Sequence, residues 1–197
     1  MGTNQIYLDK LSDKELGYLL GFFLGDGYLY YYKSGHYVVE FYLNSKKDIK
    51  IKSYIVLLMR KIGLKPFLIK DRRFNSIRIK VNSKKLFKFI RKEMNLIKNY
   101  NYTLNQLIGF VSGFIDADGY VENGEIQLTQ KEKENLLLIK KMCDSIGIKV
   151  RKFWSMDNYK TKNKIWRMRI STSFKYIGHN SIKVFRKYGI PNSEGKI

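Results

Sequence analysis

The hydrophobic pattern changes period several times along the chain, and each change marks an element. In Ile77-Arg78-Ile79-Lys80-Val81 and in Trp166-Arg167-Met168-Arg169-Ile170, apolar and basic residues alternate strictly. This is the pattern of a strand with one covered and one presented face. Val39, Phe41 and Leu43 alternate with Glu40, Tyr42 and Asn44, which predicts an inner apolar set and an outer polar one. Elsewhere apolar residues recur at helical spacing, as in Ile139, Met142, Cys143 and Ile146. After a helix ending at Asp26, the pattern predicts a hairpin over 29–43, a helix over 47–62, a hairpin over 65–81 and a helix over 83–95. After a helix ending at Asp118, it predicts a hairpin over 121–129, a helix over 131–146, a hairpin over 149–170 and a helix over 174–188. Ile62-Gly63-Leu64 and Ile146-Gly147-Ile148 read as helix stops, with glycine where a left-handed residue belongs.

The two series of elements are copies. Leu20-Gly21-Phe22-Phe23-Leu24-Gly25-Asp26-Gly27-Tyr28 aligns with Ser112-Gly113-Phe114-Ile115-Asp116-Ala117-Asp118-Gly119-Tyr120 at an offset of 92 residues. Each half therefore reads αββαββα, an α+β architecture with two pseudo-symmetric halves. The divisions are 1–97, a polar joint at 98–103, and 104–197. Both repeat helices open on capping-box spacing, Ser12 with Glu15 and Thr103 with Gln106. Both end at Asp-Gly, where Gly27 and Gly119 are expected to turn left-handed. Small residues recur every fourth position, Gly17, Gly21 and Gly25 in one helix and Gly109, Gly113 and Ala117 in the other. Glycine inside a helix costs about 1 kcal/mol against alanine, so the stripe needs a reason. Small side chains on one face let two backbones approach, and the simplest reading packs the two helices together about a pseudo-twofold axis.

Composition narrows the function. The 197 residues are 44% hydrophobic and 15% aromatic, enough for a packed core, and carry 38 Lys plus Arg against 17 Asp plus Glu, a net charge of +21. That excess calls for a polyanionic partner, with nucleic acid first and an anionic membrane second. The longest apolar run, Leu16 to Leu24, is too short to span a bilayer, and the basic residues lie on strands and loops and not on one amphipathic helix. A membrane partner is therefore disfavoured. A lone cysteine, Cys143, excludes an internal disulfide, and with only two histidines a Cys/His zinc site is implausible. The chain reads as soluble and intracellular, in a prokaryotic cytoplasm or nucleoid or in an organelle matrix.

Pseudo-symmetry brings Asp26 and Asp118 near the axis. A helix C-terminus is the wrong end for an anion, so two carboxylates there repel unless a cation lies between them, and hard divalent ions suit oxygen ligands. A single such Asp is most simply part of an Asp-Gly turn. Two at equal offset, each behind a glycine stripe, favour metal. The strands carrying Arg78, Lys80, Arg167 and Arg169 favour a nucleic-acid surface.

These two segments resemble the paired motifs of the LAGLIDADG homing endonucleases, in their single-chain, two-motif form. The resemblance implies motif helices at a central interface and antiparallel sheets that form a saddle over double-stranded DNA. It implies a monomer that makes Mg²⁺-dependent double-strand breaks in a long, asymmetric target and leaves short 3′ overhangs. The expected cofactor is Mg²⁺ or Mn²⁺, with Ca²⁺ as a non-catalytic substitute. The metal ligands it assigns are Asp26 and Asp118, with Gly25 and Ala117 beside them. Asp116 stands where the first copy has Leu24, and reads as structural. Aligning Leu43 with Leu128 pairs Ser45 with Gln130 and Lys46 with Lys131, which makes Gln130, Lys131 and Lys46 further catalytic candidates and Lys98 a weaker one. Tyr42, Asn44, Arg78, Lys80, Arg151, Arg167 and Arg169 are the expected DNA contacts. Rival readings are an RNA maturase acting on intron RNA and a non-catalytic DNA-binding regulator on the same fold. A domain embedded in an intein is disfavoured, because the chain starts at Met1 with no splicing segments beside it.

Overall fold

The computed structural model describes residues 6–71, 75–122, 125–157 and 164–171. The elements run α1 (Asp13–Asp26), β1 (Gly27–Tyr31), β2 (Tyr37–Asn44), α2 (Ile49–Lys61), β3 (Phe67–Asp71), β4 (Ser76–Asn82), α3 (Lys84–Leu96), α4 (Leu104–Asp118), β5 (Gly119–Glu122), β6 (Glu125–Gln130), α5 (Lys133–Ser145), β7 (Val150–Asp157) and β8 (Lys164–Ser171). Two antiparallel four-stranded sheets result, ordered β1-β2-β4-β3 and β5-β6-β8-β7. This is the expected α+β class. The helix expected over 174–188 lies outside the described residues.

Local chemistry explains the boundaries. Ser12 and Thr103 each accept from the backbone N–H three residues on, and Glu15 and Gln106 return the bond. Gly63 and Gly147 have φ of +84° and +76°. Leu64 N–H donates to the Met59 carbonyl at 2.9 Å and Ile148 N–H to the Cys143 carbonyl at 2.8 Å, the six-to-one bond of a Schellman stop. Gly27 and Gly119 depart from expectation. Their φ values are −97° and −89°, because each is already the first residue of a strand and pairs in the ladder, Gly27 with Phe41 and Gly119 with Leu128. Glycine is required there for room. A Cβ would run into the Phe23 ring and carbonyl at Gly27, and into the Ile115 carbonyl at Gly119.

Helices α1 and α4 pack backbone against backbone. A Cβ at Gly17 would collide with the Gln106 carbonyl, and one at Gly21 with the Phe110 carbonyl. From the other side Gly109 meets the Lys14 carbonyl and Gly113 that of Tyr18. The stripe thus serves the contact its spacing implied. A buried polar bond crosses this interface. The Tyr18 hydroxyl donates to the buried Asp116 carboxylate at 2.7 Å, which gives Asp116 a structural place. Around the helix pair one continuous apolar core draws on both halves, from Phe22, Phe41 and Ile79 to Phe114, Leu128 and Met168. The joint is packed as well. Tyr102 stacks on Phe110 with ring centroids 6.0 Å apart and donates to Glu93 at 3.4 Å.

Candidate functional site

Because α1 and α4 touch along their whole stripe, their C-terminal ends, Asp26 and Asp118, arrive together. A Cβ at Gly25 would lie 2.6 Å from Asp118 Oδ2 and close on the Ala117 methyl. The Asp118 carboxylate therefore reaches across to the end of the opposite helix. Gly25 leaves the space it occupies, and Ala117 flanks it. The donors available at this point are two carboxylates and the carbonyls of the residues before them. Oxygen-only donors at two negative helix ends suit a hard divalent cation that keeps part of its water shell. Among the described residues no cluster of three or more His, Cys, Asp or Glu side chains occurs, so any ion here rests on this two-carboxylate set.

Gln130 joins the site. It ends β6, and its Nε2 donates to Asp118 Oδ2. The first half has no counterpart. Gly27 pairs with Phe41 as Gly119 pairs with Leu128, so Phe41 and not Leu43 is the partner of Leu128. The alignment expected from sequence was two residues out. Leu43, 5% exposed, stands where Gln130 stands. The physical cause is the hairpin between the strands. It runs from Tyr31 to Tyr37 in the first half and only from Glu122 to Glu125 in the second. Ser45 and Lys46 accordingly lie past the strand. The Ser45 N–H donates to the Asn75 carbonyl at 2.7 Å and the Lys46 N–H to Asn44 Oδ1 at 2.9 Å. Lys131 is exposed directly after Gln130, and Lys98 lies in a short 3-10 turn over Ile97–Asn99.

The presented faces of the two sheets can be matched residue by residue. Tyr42 pairs with Arg78 and Glu40 with Lys80, as Thr129 pairs with Arg167 and Gln127 with Arg169. All four basic residues expected on these faces are on them. Glu40 is a correction. It lies on the presented face but is only 7% exposed. It accepts from the Tyr42 hydroxyl at 3.0 Å and pairs with Arg78 at 3.4 Å. Burial, and then the hydrogen bond to Glu40, push the Tyr42 hydroxyl above its ordinary range. Asn44 turns its amide oxygen to the Lys46 and Lys47 N–H groups, so that atom serves the chain. Arg151 is exposed at the irregularity between Val150 and Lys152, where β7 slips against β8.

Sequence reasoning missed the aromatic residues of these faces. Tyr28 and Tyr30 stack at 6.4 Å, and Tyr30 meets Tyr32 edge-on at 4.3 Å. Phe67 is exposed on β3, and Trp154 lies under Lys152 and Arg169 at 5.0 and 5.5 Å. The alternation of Tyr28, Tyr30 and Tyr32 was the available signal.

Residues 105–187 match the model of the LAGLIDADG-like domain. Over 141 residues it is 26% identical to the homing endonuclease I-DmoI of Desulfurococcus mucosus, covering 67% of this chain and 70% of that protein. It is also 26% identical over 146 residues to an uncharacterized protein of Methanocaldococcus jannaschii, covering 72% of this chain and about half of that protein, 52%. The fold is that of I-DmoI solved with DNA and Mn, at a TM-score of 0.65 and 21% identity over 84% of this chain and 96% of that one. I-DmoI has also been solved with DNA and Ca, at a TM-score of 0.65. Full-length WhiA from Thermatoga maritima aligns at a TM-score of 0.60 and 18% identity, over 95% of this chain and 58% of that one. The LAGLIDADG stretch of this chain ends on Asp118, the carboxylate that Gln130 holds. Among the described residues no helix is long and apolar enough to cross a membrane.

Proposed function

We propose that this protein is a site-specific DNA endonuclease that hydrolyses one phosphodiester on each strand of a long, asymmetric duplex, acting as a monomer of two halves divided at 98–103. The observation that carries this reading is the Asp118 carboxylate lying over Gly25, the residue before Asp26, at the ends of two helices in backbone contact. Asp26 and Asp118 would hold Mg²⁺ or Mn²⁺, with the Gly25 and Ala117 carbonyls at hand. Such an ion lowers the pKa of a bound water and offsets charge on the phosphate. The chain does the rest by positioning. Gln130 fixes one rotamer of Asp118 and keeps its own carbonyl oxygen free to accept from a water. Lys46 and Lys131, placed just past β2 and β6, carry charge toward phosphates. Arg78, Lys80, Arg167 and Arg169 face the duplex.

The test is cleavage of a duplex selected from a randomised library, with and without Mg²⁺. Asp26→Asn and Asp118→Asn should each abolish double-strand cleavage and leave specific binding within about threefold, since a removed ligand lowers the rate and not the base contacts. Full cleavage by either variant would sink the shared-metal site. The second reading is a DNA-binding regulator on the same fold, for which the parent protein would bind and not cut. Splicing help to an intron RNA, unaffected by either substitution, would point to a maturase.

A further inference from the structure

The two presented faces stand in register and share Tyr28 with Tyr120, Arg78 with Arg167 and Lys80 with Arg169, yet differ in chemistry at four other matched positions. Strand pairing sets Phe67 opposite Lys80 and Ile69 opposite Arg78, as it sets Lys152 opposite Arg169 and Trp154 opposite Arg167. Phe67 thus matches Lys152, Ile69 matches Trp154, Tyr42 matches Thr129 and Glu40 matches Gln127. On the first face Glu40 is buried against Arg78, which cancels one of the two bases there. Phe67 is 49% and Tyr42 39% exposed, so that face shows rings where the second has Lys152 and Thr129. On the second face Lys152, Arg167 and Arg169 all carry charge, and no acid occupies the position matched to Glu40.

Exposed rings gathered on one sheet face mark an interaction surface. The Arg78–Glu40 pair and the adjacent Lys80 suit a duplex whose phosphates are met at the strand ends while its base edges meet the rings. In the major groove only one base feature rewards an apolar contact, the C5 methyl of thymine, whereas arginine pairs bidentately with guanine O6 and N7. We infer that the two halves read different base chemistries. The first sheet recognises an A·T-rich half-site through thymine methyls held by Phe67, Ile69 and Tyr42. The second recognises a guanine-bearing half-site through Arg167 and Arg169. This rests on the duplex-DNA reading above and adds which half of the target each sheet accepts.

The experiment begins with duplexes of randomised sequence, bound in EDTA so that enrichment does not depend on cleavage. The enriched duplex is then remade with deoxyuridine for thymidine in one half-site at a time, and with 7-deazaguanine for guanine likewise. Each contacted methyl, when removed, should weaken binding about fourfold in one half-site only, and 7-deazaguanine should weaken it in the other. Phe67→Ser with Tyr42→Thr, both exposed positions, should lessen the deoxyuridine effect by the methyls these two rings hold and leave the 7-deazaguanine effect intact. Failure to enrich any duplex overturns the DNA reading itself. A duplex that enriches yet tolerates deoxyuridine throughout, or keeps its full sensitivity in the double variant, overturns this inference alone. A single-stranded oligonucleotide that outcompetes the duplex also overturns it, because the rings would then be stacking on bases.

Discussion

At the scale of single residues, two contacts separate the halves. Gln130 bears on Asp118, and its counterpart Leu43 is buried apolar surface. Gln130→Leu makes the second half resemble the first. It should slow one strand's cleavage by about 10–100-fold, the cost typical of losing a group that orients a metal ligand, and nicked plasmid should accumulate ahead of linear. An unchanged ratio of nicked to linear product would remove Gln130 from the site. Tyr18 is the second contact. Burial foremost, then the Asp116 charge, raises its hydroxyl well above the ordinary value of 10.0. Burial likewise lifts Tyr54 to about 12. A raised folded pKa adds stability that is complete below the unfolded value and is lost as pH rises through the folded one. The tyrosines' share of urea stability should therefore be flat below about pH 10 and fall beyond it. Tyr18→Phe should lessen that fall while costing about 1–3 kcal/mol at neutral pH, because Asp116 loses a buried donor. The carboxylates were legible because duplication and motif name them, and Gln130 because the resemblance implies a polar residue at that strand end. Glu40 was not, because its burial comes from Tyr42 and Arg78, and alternation reports only which face a residue is on.

Among elements, α1 and α4 decide the architecture. Gly21→Ala improves helix propensity, yet its methyl meets the Phe110 carbonyl, which cannot rotate away as a side chain could. The helices must part, and the variant should lose about 1–3 kcal/mol in urea unfolding. A neutral or stabilised Gly21→Ala would mean the helices are not in backbone contact. Order, type and approximate extent of the described helices and strands were readable from periodicity and caps. The pairing register was not. The first hairpin is longer than the second, and nothing in the alternation says which strand end absorbs the difference, so the Leu43–Leu128 alignment slipped by two. A slip by an even number keeps every side chain on its face, which is why the face assignments survived it.

At the scale of the whole molecule, charge is unevenly placed. Log affinity for duplex DNA should fall with log salt by about 0.9 per phosphate neutralised. Removing Lys80 should flatten that slope by about one phosphate's worth, and removing Arg78 by less, since Arg78 already answers Glu40. Equal effects from the two residues would show that Glu40 does not hold Arg78 in the complex. The Tyr18–Asp116 bond bears on how such a chain keeps its two halves in their proper partnership. The repeat offset sets Phe110 in the place of Tyr18, and Leu24 in the place of Asp116. Backbone contact through small residues discriminates poorly, since any half bearing the stripe fits any other. Two first halves mated together would turn both tyrosine hydroxyls toward leucine. Two second halves would bury two carboxylates against phenylalanine. Only the unlike pairing satisfies both groups, so this one bond gives the interface a polarity, like a keyed plug, and biases a duplicated chain toward closing on itself instead of trading halves with its neighbours.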